Sequence, residues 1–243
     1  MQTSEWFKDW FDSPYYHILY KHRDDKEAAD FIDKLSAHLN MTANDFIWDL
    51  ACGKGRHSVD LNKKGFNVVG TDLSEKSIEC ASQNSNDRLE FYKHDMRTPF
   101  RINYFTHVFN LFTSIGYFEN KKDNCKVFKT VYNSLKDDGI FVLDFFNSEL
   151  VTKSIGANNE IEIGKIQFKI SKRIDNEKII KEIEAIDGGK SVYFEEKVSL
   201  LNKEDFIKFS KESGFVLTET FGDYNLNKFN KENSERLILI FKK

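Results

Sequence analysis

The sequence predicts an α/β fold built around a doubly wound parallel sheet, with an antiparallel β insertion. Between residues 46 and 145, short apolar runs alternate with helical stretches, which is the pattern of parallel strands joined by crossover helices. Residues 151–200 instead alternate apolar and polar side chains with a period of two, as antiparallel strands do. A helix and two strands follow, so we expect all 243 residues to form a single domain.

Residues 1–40 are predicted to form a helical cap that precedes the sheet. Aromatic residues recur there at helical spacing, at Trp6, Phe7, Trp10 and Phe11. Either Asp24 or Asp25 can cap a further helix, whose apolar face continues to Leu39.

Residues 41–150 are predicted to form the core of the sheet. The expected strands are Phe46–Leu50, Phe66–Thr71, Leu89–Lys93, His107–Phe112 and Ile140–Phe145. The expected helices between them are Arg56–Lys64, Glu75–Ser82 and Asp123–Lys136. Gly65 and Gly139 stand where two of these helices should end, because glycine readily adopts the left-handed conformation common at helix C-termini.

Residues 151–200 are predicted to be the β insertion, and residues 201–243 to complete the core. A shift of the alternation near Gly164 predicts a β-bulge, and Asp187–Lys190 predicts a hairpin turn. The lysine-rich stretch Lys165–Lys181 is expected to be a solvated strand face. The last expected elements are a helix over Asn202–Ser213 and strands over Phe215–Phe221 and Arg236–Phe241.

Composition argues against several classes of protein. The formal net charge is −3, and lysines alternate with acids instead of forming a basic stripe, which argues against nucleic-acid binding. No apolar run has membrane-spanning length, and the N-terminus lacks the apolar stretch of a signal peptide. The three cysteines are widely spaced, so neither a disulfide framework nor a metal site is expected. These features predict a cytoplasmic protein.

A glycine-containing turn, Asp49–Gly55, connects the first strand to the first core helix. Its glycines let a ligand approach the backbone, and the helix N-terminus favours a carboxylate or a phosphate. The turn alone suits either a dinucleotide or an amino-acid cofactor. Ser58 stands where dinucleotide-binding proteins carry a third glycine, and Asp49 is acidic where they are usually apolar. A ligand ammonium group explains this acid, because Asp49 and the Ala51 carbonyl can bind it.

Acidic residues also follow the next two strands. Asp72 has the position of a carboxylate that binds an unphosphorylated ribose, and Leu73 can pack on an adenine. After the third strand, Asp95 can accept from the adenine amino group while the Met96 amide donates to a ring nitrogen. Because parallel strands end at one edge of a sheet, these residues predict a single crevice for an adenosine-bearing ligand.

Six segments resemble the successive motifs of class I S-adenosylmethionine-dependent methyltransferases. They are DLACGKGRHS, VVGTDLS, HDMRTPF, VFNLFTSIGYF, LKDDGIFVLDFFN and RLILIFKK. The likeness is closest to a bacterial small-molecule group with GRH, DMR and SFGYF-like motifs. The resemblance implies a Rossmann-like sheet of seven strands in the order 3-2-1-4-5-7-6, with the last strand antiparallel. It also implies S-adenosylmethionine as cofactor and S-adenosylhomocysteine as product. The implied cofactor contacts are Asp49, Ala51, Gly53, Gly55, Asp72, Leu73, Asp95, Met96 and the backbone near Asn110.

The sequence says less about the methyl acceptor and the catalytic groups than about the cofactor. A sulfonium already activates its methyl group, so the protein should mainly align the reactants. Tyr117 and His57 are the candidate bases, although both could instead be packing residues. Tyr16 and Tyr20 could form a lid over the methyl donor or simply pack.

A small-molecule acceptor is predicted beneath residues 151–200 and the N-terminal helices. The alternatives are an RNA or protein methyltransferase of the same fold and a non-catalytic protein that binds S-adenosylmethionine. A nicotinamide dehydrogenase is disfavoured by Asp49 and Ser58.

Overall fold

The structure, a computed structural model, describes residues 10–20, 25–153, 155–156 and 159–243. The expectations for Trp6, Phe7 and Asp24 lie outside these residues. Within them, no helix is both long and apolar enough to cross a membrane.

The main sheet has seven strands in the predicted order. They are β1 (Phe46–Leu50), β2 (Asn67–Asp72), β3 (Leu89–Lys93), β4 (Phe105–Asn110), β5 (Leu135–Phe146), β10 (Val216–Phe221) and β11 (Arg236–Lys242). Their spatial order is β3-β2-β1-β4-β5-β11-β10, and the last strand of the chain runs antiparallel to both of its neighbours. Because β10 and β11 are the sixth and seventh strands of this sheet along the chain, the expected order 3-2-1-4-5-7-6 is confirmed.

Helices cover both faces of this sheet. They are α1 (Pro14–Leu19), α2 (Asp25–His38), α3 (Arg56–Lys63), α4 (Glu75–Ser82), α5 (Lys121–Ser134), α6 (Ser148–Thr152) and α7 (Lys203–Ser213). Side chains of α2, α3 and α4 pack on one face, whereas α5 and α7 pack on the other. Alternate residues of β1 therefore enter different cores: Ile47 packs with the first group and Trp48 with the second. This two-sided burial explains why the central strands are almost uniformly apolar.

The insertion folds as a separate antiparallel sheet. Its strands, in order, are β6 (Asn159–Ile163), β7 (Ile166–Asp175), β8 (Lys178–Asp187) and β9 (Lys190–Ser199). The predicted hairpin turn between β8 and β9 is confirmed, with Gly188 and Gly189 both at positive φ. The predicted bulge at Gly164 is wrong. Ile163 pairs with Ile166, so Gly164, at φ 66°, lies in the tight turn between β6 and β7.

The expectation of one solvated face over Lys165–Lys181 is also wrong. The chain reverses at Asn176 and Glu177, which adopt φ values of 47° and 60° without a glycine or proline to mark the turn. The stretch is thereby divided between β7 and β8. The Lys181 side chain is only 17% exposed.

Two boundaries of the core also differ from expectation. Gly139 does not end a helix: α5 ends at Ser134, and Gly139 lies within β5, because the buried Leu135 already pairs with Phe105 of β4. In addition, β4 ends at Asn110 and does not continue to Phe112.

A third hydrophobic cluster joins the insertion to the N-terminal segment. Its buried members are Trp10, Leu19, Phe168, Ile170, Ile183 and Ala185. Ile179 and Val198 of the insertion belong instead to the main core. These contacts hold the insertion sheet and the α1 segment together over the carboxyl ends of the main strands.

Candidate functional site

A cavity of about 370 Å³ lies at the carboxyl ends of the central strands. Most of the residues predicted for the site form its wall: Tyr20, Asp49, Ala51, Gly53, His57, Asp72, Leu73, Asp95, Met96 and Tyr117. Gly55 and Asn110 do not line it. The remaining wall includes Tyr16 and Phe11.

The glycine turn gives one side of this wall its shape. Ala51, Gly53 and Gly55 all have positive φ, at 63°, 56° and 80°. A Cβ on Gly53 would meet no atom within 4 Å, so the cavity reaches the backbone here. A Cβ on Gly55 would lie 2.7 Å from the Phe91 ring, which shows that Gly55 is needed for packing behind the cavity. The two glycines of the motif therefore have different neighbours.

Asp49 is a buried carboxylate at the end of β1. It is 2% exposed, and Ser58 Oγ donates to its Oδ2 over 2.5 Å. Burial, together with the nearby Asp72, raises the pKa of Asp49 to about 6, although the Ser58 hydrogen bond opposes the shift. An ammonium group in the cavity would favour the ionised form. The serine that replaces the third glycine of the dinucleotide motif is thus a direct partner of this acid.

Asp72, at the end of β2, binds two backbone amides. Oδ2 accepts from the Gly53 N–H and Oδ1 from the Ser74 N–H, both over 2.8 Å. Burial raises the pKa of Asp72, and these two amides oppose the shift. Since a carboxylate offers about four acceptor positions, Asp72 can still accept from a ligand hydroxyl group. The same residue therefore fixes the glycine turn and faces the cavity.

Asp95 is paired with Arg97. The guanidinium donates from Nη2 to Asp95 Oδ2 over 2.6 Å and from Nε to Oδ1 over 3.0 Å. Burial opposes ionisation, but these hydrogen bonds outweigh it and lower the pKa of Asp95. A bound adenine would share this carboxylate with Arg97, which the sequence analysis did not foresee.

Asn110 lies behind the cavity. It is fully buried, and its Nδ2 donates to the Leu50 carbonyl over 2.9 Å, linking the ends of β4 and β1. Within the described chain its Oδ1 has no hydrogen-bond partner. A contact between its backbone and a cofactor stays a prediction.

His57 and Tyr117, the candidate bases, both reach the cavity. The His57 ring stacks on Phe112 with centroids 5.0 Å apart, and burial lowers the pKa of His57 to about 3, aided by Arg56. A histidine with this pKa is neutral at pH 7 and poorly matched to accepting a proton. The Tyr117 hydroxyl donates to the Thr113 carbonyl over 2.8 Å, and its ring packs edge-on against Phe11.

The turn after β4 is held by a buried ion pair. Phe112 and Thr113 adopt φ values of 57° and 61° in this turn. Asp144 Oδ2 accepts from the Phe112 N–H over 2.7 Å, and Asp144 Oδ1 accepts from Arg236 Nε over 2.8 Å. Arg236 also donates to Thr113 Oγ1 over 3.0 Å. Both Phe112 and Thr113 line the cavity, so this pair positions part of its wall.

Glu196 of β9 closes the opposite side of the cavity. Its Oε1 accepts from Trp10 Nε1 over 2.6 Å and from the Tyr20 hydroxyl over 2.7 Å. Lys181, its register partner on β8, places Nζ 2.5 Å from the Tyr20 hydroxyl and 3.8 Å from Glu196 Oε2. A sequence indication did exist: Glu196 falls between Phe194 and Val198 in the apolar positions of the alternating pattern.

These side chains fit S-adenosylmethionine. The fit rests on two observations. A Cβ on Gly53 would meet no atom within 4 Å, so a ligand has room there. Burial raises the pKa of the Asp49 carboxyl, and a ligand ammonium group would lower it again by stabilising the ionised form. Asp72 and Asp95 add carboxylates at the two neighbouring strand ends.

The chain is similar to known methyltransferases. The family model described as "Methyltransferase domain" matches residues 42–188. The putative methyltransferase YqeM of Bacillus subtilis is 38% identical over 105 residues, which is 42% of this chain and 42% of that protein. The chain thus spans less than half the length of that relative.

Two solved structures show the same fold over nearly the whole chain. An S-adenosylmethionine-dependent methyltransferase from Clostridium acetobutylicum has a TM-score of 0.78 at 24% identity, covering 94% of this chain and 95% of its own. CalS10 from Micromonospora echinaspora, an amino pentose methyltransferase with S-adenosylmethionine bound, has a TM-score of 0.69 at 17% identity, covering 95% and 97%. The family match, which spans more than half of the sequence, shows that the chain belongs to the methyltransferase domain family.

Proposed function

We propose that this enzyme transfers the methyl group of S-adenosylmethionine to a small-molecule acceptor held between the main strands and the insertion sheet. One observation carries the proposal: a single cavity of about 370 Å³ has acids at three strand ends on one side and Glu196 with aromatic rings on the other. The N-terminal segment and β9 cover the second side, which limits the space to a small acceptor.

The cofactor would be held by the residues at the strand ends. We assign its ammonium group to Asp49, its carboxylate to the turn at Gly53, and its ribose to Asp72. Leu73, Asp95 and Met96 would surround the adenine. When bound, the cofactor supplies a methyl group that its sulfonium already activates.

The chain's own contribution is to orient the acceptor and to exclude water. The aromatic side chains of α1 and of the segment before it cover the cavity, and the ion pair of Asp144 with Arg236 fixes the turn that carries Thr113. Tyr117 lies beside this turn and is the better of the two candidate bases, because the low pKa of His57 makes it a weak proton acceptor and its ring is stacked on Phe112. Residues 151–200 and the described part of residues 1–40 together form the acceptor cap in this proposal.

Two further features support a small acceptor over RNA. The net charge is −3, without a basic stripe that would contact phosphates. CalS10, one of the structural neighbours, acts on an amino pentose.

Calorimetry tests the cofactor assignment. The protein should bind S-adenosylhomocysteine and not NAD. Asp72→Ala should weaken binding by ~1–3 kcal/mol, the scale of hydrogen bonds to a charged group. Asp87→Ala, which removes an exposed carboxylate outside the cavity, serves as the matched control and should bind normally. No binding of S-adenosylhomocysteine to the unmodified protein would contradict the cofactor site.

Labelled methyl transfer tests the acceptor class. S-adenosylmethionine with a labelled methyl group should label a component of a low-molecular-weight metabolite extract. Label found in total RNA or protein, with none in the small-molecule fraction, would overturn the proposal.

A further inference from the structure

Resting on the proposed function, we infer that the acceptor is an amine, and that Glu196 binds its ammonium group and accepts its proton. The inference depends on the side of the cavity opposite the cofactor residues. It extends the proposal from small molecules in general to one class of nucleophile.

Glu196 is a fixed carboxylate in a mostly apolar setting. Its side chain is 14% exposed, and it occupies an inward position of β9 between Phe194 and Val198. Trp10 and Tyr20 donate to it, so its orientation is set by two hydrogen bonds from the N-terminal segment. Burying a carboxylate is unfavourable unless it is paired or hydrogen-bonded.

The carboxylate retains capacity for a ligand. Oε1 accepts from both Trp10 and Tyr20, whereas Oε2 lies 2.9 Å from the Tyr20 hydroxyl and 3.8 Å from Lys181 Nζ. The last distance is longer than a hydrogen bond. With about four acceptor positions on a carboxylate, an ammonium group on the cavity side can still donate to it.

Aromatic rings continue from this carboxylate along the cavity. The Tyr20 ring lies 4.9 Å from Tyr16, Tyr16 lies 5.0 Å from Phe11, and Phe11 lies 5.4 Å from Tyr117, measured between ring centroids. All four rings line the cavity. Aromatic faces attract cations, and several rings beside a carboxylate are the chemistry that binds an amine in its ammonium form.

Lys181 shows that an ammonium group can lie beside this ring and this carboxylate. Its ammonium nitrogen lies 4.6 Å from the Tyr20 ring centroid and close to Glu196. The protein thus already places one ammonium group against the outer side of this ring and carboxylate.

The proton balance explains why a carboxylate is useful. An ammonium group has no lone pair, so it must lose a proton before its nitrogen can attack. Glu196 takes that proton, and the neutral nitrogen then forms the N–CH₃ bond while the electrons of the S–CH₃ bond remain on sulfur. The products are a methylated ammonium and the neutral thioether, S-adenosylhomocysteine, and the proton on Glu196 passes to water. Proximity to the sulfonium favours this loss, because like charges lower the pKa of an ammonium group.

The first experiment identifies the methylated atom. The labelled product from the metabolite extract is isolated, and mass spectrometry with NMR locates the new methyl group. A methyl group on nitrogen is expected. A methyl group on oxygen, sulfur or carbon would overturn the inference while leaving the proposed function intact, whereas labelling of no small molecule would contradict the proposed function itself.

The second experiment compares Glu196→Gln with Glu195→Gln, using the amine identified in the first. Glu195 is the neighbouring acid on the same strand, is 41% exposed, and pairs with Lys197 outside the cavity. Glu196→Gln keeps the shape and an acceptor oxygen but removes the charge. It should lower kcat/KM by about 10- to 100-fold, the equivalent of losing a charged hydrogen bond.

Binding of S-adenosylhomocysteine reports on folding and on the cofactor site in both variants. It should stay within about twofold of the unmodified protein, and Glu195→Gln should retain its kcat/KM. If Glu196→Gln methylates the amine at the unmodified rate, the role of Glu196 is refuted even when the acceptor is an amine.

Discussion

At the scale of single residues, Asp49 has the most consequential environment. It is almost fully buried, the Ser58 hydroxyl donates a hydrogen bond to it, and its pKa is raised to about 6. A carboxylate in this state is half protonated near pH 6 and gains from a positively charged ligand. In the proposed site, its protonation is therefore coupled to binding of the ligand's ammonium group.

We expect the affinity for S-adenosylhomocysteine to decrease as the pH falls below about 6. The ligand's ammonium group favours ionised Asp49, so binding at lower pH must first remove a proton, and affinity falls by up to about tenfold per pH unit. Calorimetry between pH 5 and 8 measures this. Asp49→Asn should bind more weakly at pH 8 and show a flatter profile. If affinity depends on pH as steeply in that variant as in the unmodified protein, Asp49 is not the titrating group, and Asp72, whose pKa is also raised, is responsible instead.

At the scale of elements, the turn between β1 and α3 combines two requirements in one short segment. Gly53 leaves room for a ligand, and Gly55 leaves room for Phe91. Both have positive φ, where an L-residue is strained. The turn therefore serves packing at Gly55 and leaves open space for the proposed cofactor at Gly53.

Three glycine-to-alanine substitutions separate these effects. Gly65→Ala, at φ 92° with open space around the new Cβ, measures backbone strain alone, ~1–2 kcal/mol. Gly53→Ala should lose similar stability but also bind S-adenosylhomocysteine more weakly. Gly55→Ala should lose the most stability, because it adds a clash with Phe91. Thermal unfolding and calorimetry give both quantities, and equal melting temperatures for the Gly55 and Gly65 variants would contradict the packing role.

At the scale of the whole molecule, the acceptor side depends on the contact between two distant parts of the chain. Phe168 and Ile183 of the insertion pack with Trp10 and Leu19 of the N-terminal segment. The hydrogen bonds of Glu196 with Trp10 and Tyr20 span the same contact. The proposed cofactor side of the cavity, in contrast, is formed within residues 49–97.

Weakening this contact should impair acceptor binding more than cofactor binding. Phe168→Leu removes buried volume from the third cluster and should raise KM for the acceptor several-fold, with little change in S-adenosylhomocysteine affinity. Phe128→Leu, equally buried but in the main core, is the matched control for lost stability. Steady-state kinetics and calorimetry measure the two quantities, and a parallel rise of KM in both variants would show that general loosening, not the cap, is responsible.

The sequence by itself determined the core and the cofactor side. The alternation of strands and helices is a local pattern, and parallel strands bring their carboxyl ends to one edge whatever the loops do. Asp49, Asp72 and Asp95 could therefore be assigned to one crevice without coordinates. The resemblance of the motifs supplied the strand order, which periodicity alone does not contain.

Only the tertiary structure decided the acceptor side and the support of the turn after β4. Tyr20 and Glu196 are 176 residues apart, and Asp144 and Arg236 are 92 apart, so neither pairing leaves a periodic trace in the sequence. Likewise, the turn at Gly164 depended on how Ile163 and Ile166 pair, and the end of α5 on how Leu135 enters the sheet. Local patterns record which face of an element is buried, whereas the identity of the partner across a cavity is fixed only when distant segments pack.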